Sequence, residues 1–148
     1  MQTLKSFRLI AACAAFVLPA TLVAQTVFKV SDVQPAGYPN VVALEHMGQK
    51  LDAATKGKYK IQMFPGGVLG SEKEMIEQAQ IGALQIARIS LGPMGPVVPD
   101  VNVFNLPFLF RDEAHMRAVI DGPIGKELLD KITASSAKLV GLGWMDSG

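Results

Sequence analysis

From Thr26 onward, short runs enriched in β-branched residues alternate with amphipathic stretches of helical period. Thr26 to Val33 reads as a first strand, ended by Gln34-Pro35-Ala36-Gly37, which cannot continue a central ladder. Asn40 then caps a helix in which Leu44, Met47, Gly48 and Leu51 recur at i, i+3, i+4 and i+7, and Gly57 stops it. Tyr59, Ile61 and Met63 alternate with Lys60 and Gln62, the period of a half-buried second strand, which Pro65-Gly66-Gly67 terminates. Ser71, with Glu74 three residues later, forms a capping box at the start of the next helix. Met75, Ile76 and Ala79 face inward there, and Gly82 closes the helix. Leu84 to Ser90 is a third strand. Strands alternating with helical patterns of about 10 to 15 residues predict parallel βαβ units. The fold class is therefore α/β, a mixed and mostly parallel sheet flanked by helices.

Leu91 to Pro99 carries three prolines and two glycines, too many for regular structure, and Asn102 to Phe110 is a mixed apolar segment broken at Pro107. Asp112 caps a helix running to Ile120, and Gly122-Pro123 begins another whose buried stripe is Ile124, Leu128, Leu129 and Ile132. Lys138 to Met145 reads as a last, central strand. It is followed only by Asp146-Ser147-Gly148, so the chain reads as cut rather than ended, with residues 25–148 forming one lobe incomplete at its C-terminus.

The amino-terminal segment has a different character. Lys5 and Arg8 precede an uncharged run from Leu9 to Ala24, the layout of a secretory signal peptide with cleavage after Ala24. A transmembrane anchor needs about 20 apolar residues, and this run is shorter and holds Pro19. Ile10-Ala11-Ala12-Cys13 mimics a lipoprotein box, but too few apolar residues separate it from Arg8, because an export signal needs an apolar run of roughly 7 to 15. With Cys13 removed the mature chain holds no cysteine, consistent with export to an oxidising periplasm and with no stable membrane insertion after cleavage. Loss of Lys5 and Arg8 leaves 12 basic against 13 acidic residues, scattered without a basic helix or an aromatic-basic alternation, which argues against a nucleic-acid partner.

Enzymatic and cofactor motifs are lacking. His46 and His115 sit far apart, neither in a metalloprotease pattern nor near a cysteine, so they read as surface or capping residues. Gly122-Pro123-Ile124-Gly125-Lys126 misplaces its first glycine for a phosphate loop and has Glu127 where Ser or Thr would hold magnesium. Gly141-Leu142-Gly143 supplies two of the three glycines of a dinucleotide fingerprint, with Asp146 at the third position. No cofactor, metal or catalytic residue is expected.

Lys60 to Glu74 (KIQMFPGGVLGSEKE) resembles the motif after the second strand in substrate-binding proteins of tripartite ATP-independent periplasmic (TRAP) transporters, the DctP type. Gly82-Ala83-Leu84-Gln85-Ile86, Val103 to Arg111, His115 and Gly141-Leu142-Gly143-Trp144 follow in the same order and spacing, so the resemblance covers residues 27–148. It implies a periplasmic binding protein-like fold of two lobes, of which this chain holds the first, and a complete protein roughly twice as long. It also implies a carboxylate ligand, TRAP membrane subunits as partners, and an acid-binding arginine beyond Gly148. Alternatives from other classes are a lobe of an exported α/β enzyme and a stand-alone sensor or interaction domain.

Open α/β sheets bind ligands at the carboxyl ends of their strands. Gln34, Tyr38 and Asn40 follow the first strand, with Asn40 either a cap alone or also a donor beside the helix amides. The resemblance implies ligand contacts from this loop. Arg88 and Ser90 end the third strand. Arg88 either snorkels outward or meets a carboxylate, belonging to a ligand or to a neighbour such as Asp100. Ser90 stands where the resembled family places a hydrogen-bonding side chain. Trp144 and Asp146 come from the last strand, one able to wall an apolar face and the other to accept from hydroxyls. A carboxylate at Asp146 tilts the expected ligand from C4-dicarboxylates toward sugar acids.

Overall fold

The computed structural model describes residues 24–146. The expected export signal therefore lies outside the described residues except for Ala24. Three strands form one parallel sheet in the order β2-β1-β3: β1 is Thr26–Ser31, β2 is Tyr59–Phe64 and β3 is Ile86–Ala87. The helices are α1 (Pro39–Ala54), α2 (Glu72–Gln80), a short α3 (Leu91–Met94), a 3-10 helix (Pro99–Asn105), α4 (Glu113–Ile120) and α5 (Pro123–Ala134). The expected α/β class and parallel pairing are present. Among the described residues, no helix is long and apolar enough to cross a membrane.

The locally coded features form as expected. Ser71 accepts from the Glu74 amide while the Glu74 carboxylate takes the Ser71 amide at 2.7 Å, the reciprocal bonds of a capping box. At the other end of α2, Gly82 at φ +78° lets its amide reach Ala79 and the Ala83 amide reach Gln78, so two orphan carbonyls are satisfied. The Asp112 side chain caps α4 by accepting from the His115 amide, and Gly122 and Pro123 open α5.

Other expectations are corrected. The N-cap of α1 is Tyr38, not Asn40, because Pro39 occupies the first helical position, where its fixed φ suits the helix and its missing N–H costs nothing. The buried edge of α1 runs through Val41, Leu44 and Gly48 and leaves Met47 exposed, since the helix rests on Ile61 at Gly48. β1 ends at Ser31, before Val33. The third strand shrinks from Leu84–Ser90 to two residues: the Gln85 side chain takes the Lys29 amide at 3.0 Å in place of a ladder partner, and Ser90 becomes the N-cap of α3. Leu91 to Pro99 is not irregular throughout, because Pro93 and Pro99 fall in the first turns of two short helices, where no intrahelical N–H is needed. Ile124 is exposed on α5. No strand forms over Lys138–Met145. The Gly141 amide there bonds to the Thr133 hydroxyl and the Trp144 indole N–H to the Gly125 carbonyl, so the segment lies against α5 rather than in a ladder.

Ile76, Met94, Val98, Val101, Ile132 and Ala137 pack into one buried cluster that joins α2, the two short helices and α5. Val30 on β1 and Val41 on α1 are wholly buried, and α1 packs on β2.

Two outcomes follow for stability. A Cβ at Gly48 would stand 2.9 Å from the Ile61 Cβ. Overpacking typically costs about 1–3 kcal/mol, more than the roughly 1 kcal/mol gained by removing a helical glycine. Gly48→Ala should therefore lower the urea midpoint, while Gly92→Ala, whose Cβ would meet nothing within 4 Å, should not. Ser71→Ala should remove about 1 kcal/mol. Hydrogen bonds from Ser71 hold the Glu74 carboxyl below its ordinary 4.5, so its contribution is present above that value and disappears as pH falls through the lowered folded-state value. The gap between wild type and Ser71→Ala, measured by urea unfolding, should narrow on acidification.

Candidate functional site

Asp32, immediately after β1, is fully buried and is the anchor of the carboxyl end of the sheet. Its Oδ2 accepts from Arg88 Nε at 3.1 Å, and its Oδ1 lies 2.9 Å from Arg88 Nη2 and accepts from the Gln34 amide at 2.9 Å. The Nη2 contact is ionic, since its N–H bonds are not aligned on that oxygen. Glu72, the first residue of α2, takes Arg88 Nη1 at 3.4 Å, and its Oε1 also accepts from the Ser90 amide and hydroxyl at 2.8 Å each. Ser90 Oγ in turn accepts from Arg88 Nη1 at 3.0 Å. One guanidinium thus stands between two carboxylates, with side-chain exposures of 9%, 0% and 14% for Arg88, Asp32 and Glu72.

Arg88 therefore meets carboxylates of its own chain. Asp100, the neighbour expected from sequence, bonds to Lys131 on α5 at 3.0 Å instead. Neither Asp32 nor Glu72 was singled out by sequence reasoning. The available signal was the polar pair Ser31-Asp32 directly after an apolar strand, where a buried carboxylate needs a cation and Arg88 closes the neighbouring strand.

The glycine-rich turn serves as a tight connection. Gly66 and Gly67, both in the left-handed region, donate their amides to the Gln34 and Asp32 carbonyls at 2.7 and 3.0 Å. The turn after β2 is thereby stitched to the loop after β1.

Beside this cluster opens a cavity of about 780 Å³ whose walls are mostly apolar side chains. Arg88, Ser90, Trp144 and Asp146 all line it, so four of the seven sequence-predicted residues are brought together. Trp144 stands edge-on to Phe104 at 5.2 Å, and Asp146 Oδ2 is 3.4 Å from Arg117 Nη2 on α4. Gln34, Tyr38 and Asn40 are not in the lining; Gln34 and Tyr38 sit in the β1–α1 connection and Asn40 in the first turn of α1. Gln34 is held by backbone bonds to Asp32 and Gly66, and Tyr38 is the helix cap. Asn40 is 4% exposed, and its Nδ2 has no hydrogen-bond partner in the structure. A buried donor in that condition forfeits solvation that an incoming acceptor restores.

Breaking the ion cluster should be expensive. Arg88→Met leaves two carboxylates without their cation, and removal of one partner of a buried pair costs about 3–5 kcal/mol. Denaturant unfolding checks this; a loss below about 1 kcal/mol, the value of an exposed pair, would show the cluster to be solvated.

The profile of the bacterial extracellular solute-binding proteins, family 7 (DctP), matches residues 30–148. A TRAP periplasmic solute-binding protein from Pseudomonas putida F1, solved with bound D-glucuronate, is similar at 63% identity and a TM-score of 0.79 over 81% of this chain and 39% of its own. One from Citrobacter koseri, also with bound D-glucuronate, is similar at 57% identity and a TM-score of 0.81 over 84% of this chain and 42% of its own. A curated solute-binding protein of Verminephrobacter eiseniae is 38% identical over 87% of this chain and 38% of that relative, so the chain spans about two fifths of the length of the relatives it matches. With its parallel sheet and the cavity at the carboxyl end of β3, the chain belongs to the DctP family of bacterial extracellular solute-binding proteins.

Proposed function

We propose that this chain is the first lobe of the periplasmic component of a TRAP transporter, exported by a cleaved signal over residues 1–24. It captures an organic acid, a sugar acid in preference to a C4-dicarboxylate, and delivers it to the membrane subunits. The observation that carries this reading is the cavity lined by β3, the residues that follow it and the C-terminal segment, apolar in its walls and furnished with few polar groups, the usual composition of a small-molecule site. Family membership and the two D-glucuronate-bound neighbours at 57% and 63% identity support the ligand class.

Within this reading Ser90 and Asp146 meet ligand hydroxyls and Trp144 walls an apolar ring face, while Asn40, outside that lining, offers its unpartnered Nδ2 to a ligand group that reaches the start of α1. Gln34 and Tyr38 shape the loop that leads to Asn40. Arg88 frames the wall, its charge already engaged by Asp32 and Glu72. The chain captures its ligand and does not transform it. Charge-assisted hydrogen bonds, each worth roughly 1.5–3 kcal/mol net, then select the state in which two lobes close.

A thermal-shift panel of carboxylates tests the class: a bound acid at 100 times its dissociation constant should stabilise the protein by about 2.7 kcal/mol, with D-glucuronate shifting the melting temperature more than succinate. No shift with any organic acid would refute the reading. Asn40→Leu discriminates further. Because the Asn40 Nδ2 makes no bond in the free protein, an apolar side chain of similar volume should leave unliganded stability unchanged or higher, yet weaken glucuronate binding in calorimetry by about tenfold, the value of one good hydrogen bond.

A further inference from the structure

We infer that the Glu72–Arg88–Asp32 cluster sets the charge selectivity of this site, admitting acids with a single carboxylate and rejecting dianions. The inference rests on the solute-binding reading and names what that site excludes. Arg88 and Ser90 form the polar part of the β3 wall, and behind them stand two carboxylates against one guanidinium. Glu72 Oε1 is one hydrogen bond from the wall, 2.8 Å from Ser90 Oγ, and Glu72 keeps 14% of its side chain exposed, so its field reaches the open cavity, where salt screens it in part.

The other charged groups facing the cavity are Lys138 and the Asp146–Arg117 pair, which come from the C-terminal segment and α4. Among the described residues none of them forms an ion pair with Asp32 or Glu72, whose one shared cation is Arg88. A ligand end lying against this wall gains by donating hydroxyls and loses by presenting a second carboxylate. A sugar acid has hydroxyls to place there, whereas a C4-dicarboxylate has a carboxylate at each end. At the effective dielectric of about 20 typical of a protein edge, one extra unit charge roughly 12 Å away changes affinity by about tenfold. Glu72 is on this account a specificity-determining residue that acts through Ser90 and Arg88 without touching the ligand.

The test is isothermal calorimetry with D-glucuronate and malate on wild type and Glu72→Gln, at low and high salt. The glutamine keeps an oxygen for the Ser90 amide while removing the charge. Wild type should bind glucuronate at least tenfold more tightly than malate, and Glu72→Gln should narrow that ratio three- to tenfold by tightening malate. Raising salt should narrow the wild-type ratio more than the variant ratio, a response that a purely structural role for Glu72 does not produce. Should the variant fail to fold, the salt dependence of the wild-type ratio decides alone. An unchanged ratio in Glu72→Gln, equal loss of both acids, or a salt-independent wild-type ratio overturns the inference while leaving solute binding intact. Absence of binding by either acid to wild type overturns both.

Discussion

The carboxyl end of this sheet depends on one buried ion pair. Asp32 has no accessible surface and Arg88 very little, and taking two such charges out of water is favourable only when geometry and additional hydrogen bonds satisfy what remains. Those conditions reach outward from the pair. The Gln34 amide must meet Oδ1, which fixes the exit of the β1 loop; Glu72 must reach Nη1, which fixes the start of α2; and the Ser90 amide and hydroxyl must close on Glu72, which fixes the start of α3. A single salt bridge thereby sets the relative positions of three chain segments that are distant in sequence.

The parts of the fold that were legible in advance are those whose cause is local. The capping box at Ser71, the glycine stop at Gly82, the Asp112 cap and the Gly122-Pro123 start each need only a few neighbouring residues, and each formed. What failed depended on partners elsewhere. Leu84 to Ser90 has the residues of a strand, but a strand needs a ladder, and the Gln85 side chain and the Ser90 cap truncate it. Lys138 to Met145 is apolar enough for a strand, yet its polar groups go to Thr133 and Gly125 on α5. Asn40 was misplaced as a cap for a local reason that was visible: Pro39 beside it is the better first helical residue.

The site shows the same division. Arg88 and Ser90 line the cavity because they follow β3, whereas Trp144 and Asp146 reach it from a segment that forms no strand and lies against α5. Asp32 and Glu72 escaped notice because each has an ordinary local meaning, a turn residue after a strand and an acidic residue in a first helical turn. Their significance lies in sharing Arg88, 56 and 16 positions away. No local pattern encodes that.

The turn after β2 shows how polar recognition is distributed in this lobe. A glycine-rich loop leading into a helix is the standard way to hold an anion, through free amides and the helix dipole. Here both resources are already engaged. The Gly66 and Gly67 amides bond to the neighbouring loop, and the first turn of α2 carries Glu72 and Glu74, which satisfy its positive end internally. An anion approaching from this side meets the surplus charge of Glu72 and Asp32. The polar groups this wall turns to the cavity are side chains such as Ser90, a hydroxyl that both donates and accepts without a change of charge. A wall of that kind suits neutral hydroxyls better than a second negative charge.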